Sequence, residues 1–368
     1  MSGKSFINTV IQGGFNMDIS LFDYNLPEEL IAQSPLSKRD ECKLMVVNRE
    51  KRTYETHLFH DILNYLEPGD VLVRNNTKVI PARLLGHKVE TGGAIELLLL
   101  KQIGEDTWEC LVGNAKSVKV GSHSSFGDGR LKATCVGVKE EGLRDMHFEY
   151  QGIFLEVLES LGQMPLPPYI KKQCANNDDY QTVYAKIPGS AAAPTAGFHF
   201  TKELFEEIRK KGIEVIDITL NIGLGTFRPV KVQDTKDHVM HSEVYEIDGK
   251  AADRLNLAKK EGRRIIAIGT TSIRTLESVY SKYGKFVATR EPTRLFIEPG
   301  YAYKAVDAVV TNFHLPKSTL VELVSAFMGR KFTLACYQEA VKEGYRFFSF
   351  GDAMFIYGKY DYNKNLDD

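Results

Sequence analysis

The chain has 368 residues, enough for one large or two ordinary domains. Its 43% hydrophobic and 26% charged content is that of a globular protein with a sizeable core. A formal net charge of -1 excludes a strong global field that draws the chain to nucleic acid, so an RNA partner would need a local basic face.

In chain order, the stretch MSGKSFINTVIQGGFN (1–16) lacks the compact apolar region of a signal peptide, and it reads as an N-terminal extension, disordered or peripheral. Met17 opens a more convincing start. Residues 68–150 alternate short apolar runs (DVLVR, KVIPARLLG, AIELLLLK, TWECLVG) with Gly-rich turns at 68–69, 91–93 and 127–129. Many short strands at close spacing predict a small antiparallel β-barrel or sandwich.

Beyond it the texture changes. Thr201 is placed to cap a helix over KELFEEIRKK, with Leu204, Phe205 and Ile208 on its apolar face and Gly212 past its end. The strand IEVIDITL (213–220) runs into the turn NIGLGTF. The strand RIIAIGTTS (264–272) leads to the helix SIRTLESVYSKYG, and AVDAVVT (305–311) leads through NFHLPKS to the helix TLVELVSAFMG, with Thr319 and Glu322 read as its capping box and Gly329 as its end. Such strand–loop–helix units predict a layered α/β domain with a largely parallel sheet, interrupted by the small barrel. The expected boundaries are 17–67 and 151–360 for the α/β domain, 68–150 for the inserted barrel and 361–368 for a C-terminal tail.

Ligands of such sheets sit beyond the C-terminal strand ends. GTTS (Thr270, Thr271) and NFHLPKS (Asn312, His314) both fall there. GTTS brings hydroxyls and open N–H groups to a helix N-terminus, suited to phosphate or carboxylate, although taken alone the string favours ordinary capping. NIGLGTFRPV has glycines that permit close backbone approach but is not GxGxxG. YAKIPGSAAAPTAGFHF (184–200) is a run of small residues that ends in His199, either a linker or a backbone wall. HVMHSEVYEI holds His238, His241 and Glu243; without HExxH spacing or a cysteine ligand, an orienting or acid–base cluster is favoured over a metal site. His57 and His60 read as surface. The basic clusters at 210–212, 259–264 and 329–331 read as solvated faces or an RNA-binding rim. Five scattered cysteines, Cys42, Cys110, Cys135, Cys174 and Cys336, form no CxxC pair, which predicts reduced thiols and a cytoplasmic protein. No apolar run approaches a membrane span.

The strings IAQSPLSKRD, VIPAR, MPLPPYIK, AAAPTAGFHFT, LNIGLGTFRPV, MHSEVYEI, GTTSIRTLES, LFIEPGY, TNFHLPKSTLVELVSAF and RFFSFGDAMFI appear in this order. Together they resemble the S-adenosylmethionine:tRNA ribosyltransferase-isomerase family of queuosine biosynthesis, from residue 17 to about 358. Ser34 stands where that family often has a histidine, and REPTRLFIEPG varies the segment before the LFI strand. The resemblance implies an α/β domain with an inserted β-barrel. It implies transfer of the ribosyl carbons of S-adenosylmethionine to the aminomethyl nitrogen of 7-aminomethyl-7-deazaguanine at the tRNA wobble position, giving epoxyqueuosine, adenine and methionine. S-adenosylmethionine would be a co-substrate, tRNA the partner, and no metal is implied; a monomer without an obligate protein partner is expected.

That chemistry needs a base for the 5′ carbon beside the sulfonium, a neutral amine, and a proton donor for departing adenine. Imidazoles suit the first and third roles, so His199 and His314 are the candidates, with His241 and Glu243 for the amine. Thr195 and Gly197 in the small-residue wall, Gly223, Gly225, Thr226 and Arg228 in the glycine turn, and Thr270, Thr271, Arg274 and Asn312 are expected to hold S-adenosylmethionine. Glu277 or Asp307 would read the guanine-like base edge. A conventional methyltransferase and a noncatalytic RNA-binding protein are the competing readings.

Overall fold

The computed structural model describes residues 18–171, 176–223, 235, 240 and 242–362. The expected N-terminal extension, Cys174, Gly225, Thr226, Arg228, His238, His241 and residues 363–368 lie outside them.

Seventeen strands and six α-helices are described. The strands are β1 (Lys43–Asn48), β2 (Thr53–Leu58), β3 (Val71–Asn75), β4 (Thr77–Val79), β5 (Arg83–Lys88), β6 (Ala94–Gln102), β7 (Thr107–Val112), β8 (His123–Phe126), β9 (Leu131–Val138), β10 (Leu143–Tyr150), β11 (Ile187–Ser190), β12 (Glu214–Leu220), β13 (Glu243–Ile247), β14 (Ile265–Ile268), β15 (Thr289–Thr293), β16 (Ala308–Asn312) and β17 (Ala353–Tyr357). The helices are α1 (Phe154–Leu161), α2 (Lys202–Lys210), α3 (Gly249–Lys260), α4 (Gly269–Tyr283), α5 (Thr319–Met328) and α6 (Arg330–Lys342).

A nine-stranded sheet has the order β15-β13-β12-β3-β14-β16-β17-β1-β2. Its centre, β12-β3-β14-β16, is parallel, and antiparallel strands close both flanks. Side chains alternate between two cores. Val71, Val73, Met45 and Val47 face α3 to α6, whereas Leu72, Leu44 and Val46 face α2 and the turn Phe59–Tyr65. Burial on both faces explains the unbroken apolar runs VLV and IIAI.

The second unit is a closed barrel of order β10-β7-β6-β5-β8-β9. Its strands show the period-2 burial of a sheet with one wet face, as in β7, where Trp108, Cys110 and Val112 point inward. At Gly86 a Cβ would stand 2.3 Å from the Ser125 carbonyl oxygen, so the β5–β8 contact that closes the barrel needs glycine there. α1 caps one end, with Leu158 in the barrel core.

Two details differ from the sequence expectation. DVLVR, grouped with the barrel, is β3 at the centre of the large sheet; three successive fully buried residues mark a strand covered on both faces, which a barrel strand is not. The barrel strands begin at Arg83. The cap of α5 is Ser318, whose hydroxyl accepts from Val321 N, so Thr319 is already helical and no capping box with Glu322 forms. The expected cap of α2 is present, Thr201 Oγ1 accepting from Leu204 N at 3.1 Å. No helix among the described residues is long and apolar enough to cross a membrane. Cys42, Cys110, Cys135 and Cys336 are buried free thiols.

Candidate active site

Parallel strands deliver their following loops to one edge of the sheet. Here β14 ends at Ile268 and α4 starts at once, so GTTS is the first turn of that helix; β16 ends at Asn312 and opens into HLPKS. Between these two loops and the wall Ala192–Ala196 lies a cavity of about 340 Å³. Ile222, Met240 and Glu243 line one side, and Tyr169, Tyr180 and Phe348 line another.

The α4 side presents to the cavity donors that are unpaired among the described residues. Gly269 has φ +83°, which permits the sharp turn from strand to helix, and no side chain caps the first-turn N–H groups. Thr271 and Arg274, one helical turn apart, both line the cavity. Thr271 Oγ1 and Arg274 Nη2 are enclosed and have no hydrogen-bond partner among the described residues. Arg274 is held by its other nitrogens: Nη1 pairs with Glu243 Oε2 and Nε donates to the Leu295 carbonyl at 3.2 Å. Glu243 Oε1 in turn accepts from Gly223 N at 3.1 Å. A buried guanidinium with a spare N–H, beside an uncapped helix start, offers donors of the kind that a carboxylate or phosphate accepts from.

The opposite wall is a hydrogen-bond chain. Thr195 Oγ1 donates to Asn312 Oδ1 at 3.2 Å, and Asn312 Nδ2 faces the Phe348 carbonyl and His199 Nε2, both at 3.1 Å. An amide nitrogen only donates, so His199 Nε2 accepts and its proton sits on Nδ1, 3.1 Å from Cys42 Sγ. His199 packs on the Phe59 ring and is pushed down to about 3, by burial first and then by the charges of Arg346 and Arg39. It therefore stays neutral and lies behind the cavity wall rather than on it, lining a separate void of about 10 Å³ with Cys42 and Phe198.

His314 does line the cavity. Its Nε2 is 2.9 Å from Thr311 Oγ1, its carbonyl accepts from the Tyr24 hydroxyl, and its backbone N donates to the Tyr337 hydroxyl at 3.3 Å. Burial holds its pKa down at about 3, so the unprotonated imidazole is the form present at neutral pH.

The family model for queuosine biosynthesis proteins matches residues 19–356. The chain belongs to that family. A solved structure described as the S-adenosylmethionine tRNA ribosyltransferase of Thermotoga maritima is similar to it at 38% identity, covering 92% of this chain and 100% of that chain, with a TM-score of 0.54.

In this queuosine biosynthesis protein the fold therefore gathers Thr195, Glu243, Thr270, Thr271, Arg274, Asn312 and His314 around one cavity. It does not bring His199, Gly197 or Gly223 to it. Gly197 is required by packing, because a Cβ there would stand 1.9 Å from the Tyr184 hydroxyl. Gly223 lines a neighbouring cleft. Glu277 and Asp307 are scaffold: Glu277 accepts from the backbone N–H groups of Lys304, Ala305 and Val306, and Asp307 accepts from Ile265 N. Neither lines the cavity, which removes both as readers of a base edge. Among the described residues no group of three or more His, Cys, Asp or Glu is arranged to hold a metal.

Sequence reasoning misses Tyr169, Phe348 and Ser349. Tyr169 meets the Phe348 ring edge-on at 4.0 Å and its hydroxyl lies 2.6 Å from Ser349 Oγ. Phe348 has φ +74° and Lys317 in the HLPKS loop has φ +54°, so two non-glycine residues on this cavity are in left-handed conformations, which cluster at functional sites. PLPPY and RFFSF carry the signal as strings, but only the fold brings them together.

Proposed function

We propose that this protein transfers and isomerises the ribosyl moiety of S-adenosylmethionine onto the aminomethyl group of 7-aminomethyl-7-deazaguanine in tRNA, releasing adenine and methionine. The observation that carries the reading is the pairing of an anion site with a neutral imidazole across one cavity, in a chain of the queuosine biosynthesis family. The related Thermotoga maritima protein bears the matching activity in its description. A cavity of about 340 Å³ falls within the range of ~300–1,000 Å³ in which small-molecule sites lie.

In this reading the free N–H of Arg274, Thr271 Oγ1 and the α4 N-terminus receive the methionine carboxylate. The wall 192–196 admits the sugar closely because its side chains are small, and Thr195 within it and Asn312 supply polar contacts to ribose. Tyr169 and Phe348 offer ring faces for a base. His314, unprotonated at neutral pH, is the base for the 5′ proton that the sulfonium acidifies. His199 is a positioning residue: by accepting from Asn312 it fixes which way that amide, and through it the Thr195 hydroxyl, face the cavity. Proposed with this are a cytoplasmic location, an isomerisation within the same site, and turnover without a metal.

The test is label partition. S-adenosylmethionine labelled in the ribose carbons should transfer label to tRNA bearing the aminomethyl base, and methyl-labelled S-adenosylmethionine should not. Methyl label in the RNA would replace this reading with a methyltransferase.

A further inference from the structure

A second cleft, of about 540 Å³, lies between the barrel, beside the start of α1, and the antiparallel edge of the large sheet. The barrel contributes the end of β6 (Leu100–Gln102), Trp108, Tyr150 and the start of α1. The sheet side contributes Gly189, Asn221, Gly223, Ser242 to Val244 and Arg290. Glu243, fixed by Gly223 N and Arg274, lines this cleft and the reaction cavity alike, so the two spaces adjoin.

The barrel wall of this cleft is aromatic. Phe154 packs against Tyr150 at 5.0 Å and Trp108 at 5.7 Å between ring centroids. Tyr150 and Phe154 are half-buried, and Ile153 beside them is 59% exposed. Both rings pack on one side against the barrel core and line the cleft on the other, and the Tyr150 hydroxyl donates to Asp106. Trp108 is 6% exposed, and its Nε1–H, a donor with no acceptor capacity, has no partner among the described residues. Lys101 and Arg290 stand on the rim, Lys101 with no ion-pair partner among the described residues and Arg290 with only a long contact of 3.8 Å to Glu246. Glu105 and Glu109 share that rim, and Glu109 pairs with Lys139 at 2.7 Å, an ammonium it shares with Asp145 at 2.7 Å.

We propose that this cleft is a stacking site for an unpaired RNA nucleotide that neighbours the reacting base. The proposal rests on the tRNA reading above and adds the place on the protein that holds the loop. Partly exposed rings such as Tyr150 and Phe154 suit the splayed bases of a single-stranded loop, since every base offers a π-face. Lys101 and Arg290 answer the adjoining phosphates, and the enclosed indole N–H answers a base or ribose acceptor. Because Glu243 lines both spaces, the proposal places one nucleotide in the reaction cavity and its neighbour in the adjoining cleft, against Tyr150. The barrel thus becomes the part that grips the loop, while chemistry stays on the sheet edge.

The test uses an anticodon stem-loop RNA as probe, with the full-length protein. Tyr150→Leu keeps an apolar side chain and removes the ring; Trp108→Phe keeps a ring and removes the N–H. Tyr150→Leu should weaken RNA binding about ten-fold, the scale expected for one stacked base, and Trp108→Phe by a factor of about 2–10, the scale of one hydrogen bond, with S-adenosylmethionine binding by calorimetry unchanged. An RNA with an abasic site beside the target position should bind the wild-type protein about ten-fold more weakly and Tyr150→Leu no more weakly than the intact RNA does. RNA affinity unchanged in both variants would overturn the stacking site while leaving the tRNA reading standing. Failure of the wild-type protein to bind the RNA at all would overturn both. Equal abasic penalties in wild type and Tyr150→Leu would place the neighbouring base elsewhere and overturn the proposal.

Discussion

Glu322 provides the sharpest stability test of this structure. It sits in the first turn of α5, is fully buried, and neither of its carboxylate oxygens has a hydrogen-bond partner among the described residues. Burial, reinforced by the nearby Glu298 charge, raises it from 4.5 to about 8. The folded protein therefore retains a proton that the unfolded chain releases. Where the folded pKa exceeds the unfolded one, stability is greatest below the lower value and falls as pH rises through the window from 4.5 to about 8. At about 1.4 kcal/mol per pH unit, the loss reaches roughly 3 kcal/mol by about pH 7 and levels off near 5 kcal/mol above about pH 8. Glu322→Gln keeps the shape and cannot ionise. It should melt close to the wild-type temperature at pH 4.5 and several degrees above it at pH 8, since ~1 kcal/mol shifts the midpoint of a large domain by about 2 °C. Scanning calorimetry at a series of pH values reads this difference. A variant curve parallel to wild type across the window would show that Glu322 ionises freely and would refute the reasoning.

His199 and His314 give a dependence of opposite sense. Both are held near 3 against an unfolded value of 6.5, so the folded state resists protonation and stability is lost as pH falls below about 6.5. His199→Gln should flatten the acid limb of the unfolding profile by about 1.4 kcal/mol per pH unit and retain more activity than His199→Ala, because Gln still offers Asn312 an acceptor; equal activity of the two variants would end the positioning role. Arg274→Met should abolish S-adenosylmethionine binding and destabilise the fold by about 3–5 kcal/mol, by stranding the buried Glu243 charge. Adding Glu243→Met should recover the stability without the binding, and recovery of binding would exclude Arg274 from the anion site. Gly197→Ala should cost about 1–3 kcal/mol of stability through collision with Tyr184, partly reversed by Tyr184→Leu on the same background; no loss on melting would deny the packing role.

The loops that build the cavity are legible in the sequence because parallel strands oblige them to converge. GTTS and NFHLPKS each follow a buried apolar run, and such runs end on the same edge. The facing of individual side chains is not legible in this way. His199 ends a small-residue loop and His314 opens a loop after a strand, yet the first is tucked behind Asn312 while the second reaches the cavity. That difference depends on the short 3-10 turn Thr195–His199, where rotation by one residue exchanges inside and outside. Gly197 resembles a ligand-approach glycine, and only the position of Tyr184 shows that its constraint is internal. DVLVR reads as part of the barrel because an apolar run of that length carries no period, and its Gly-rich neighbours belong to both units. Tyr169 and Phe348 lie 179 positions apart in sequence, counting 348 minus 169, so no local pattern pairs them.

Ribosyl transfer in the cavity between the α4 N-terminus and the His314 loop stands or falls on its products. Mass spectrometry would identify them after purified protein is incubated with S-adenosylmethionine and tRNA carrying 7-aminomethyl-7-deazaguanine, without added metal. Free adenine and methionine are expected, together with an RNA base heavier by the epoxycyclopentane unit, all lost in His314→Ala. S-adenosylhomocysteine as the product, or an unmodified base after tight tRNA binding, would contradict ribosyl transfer at this site.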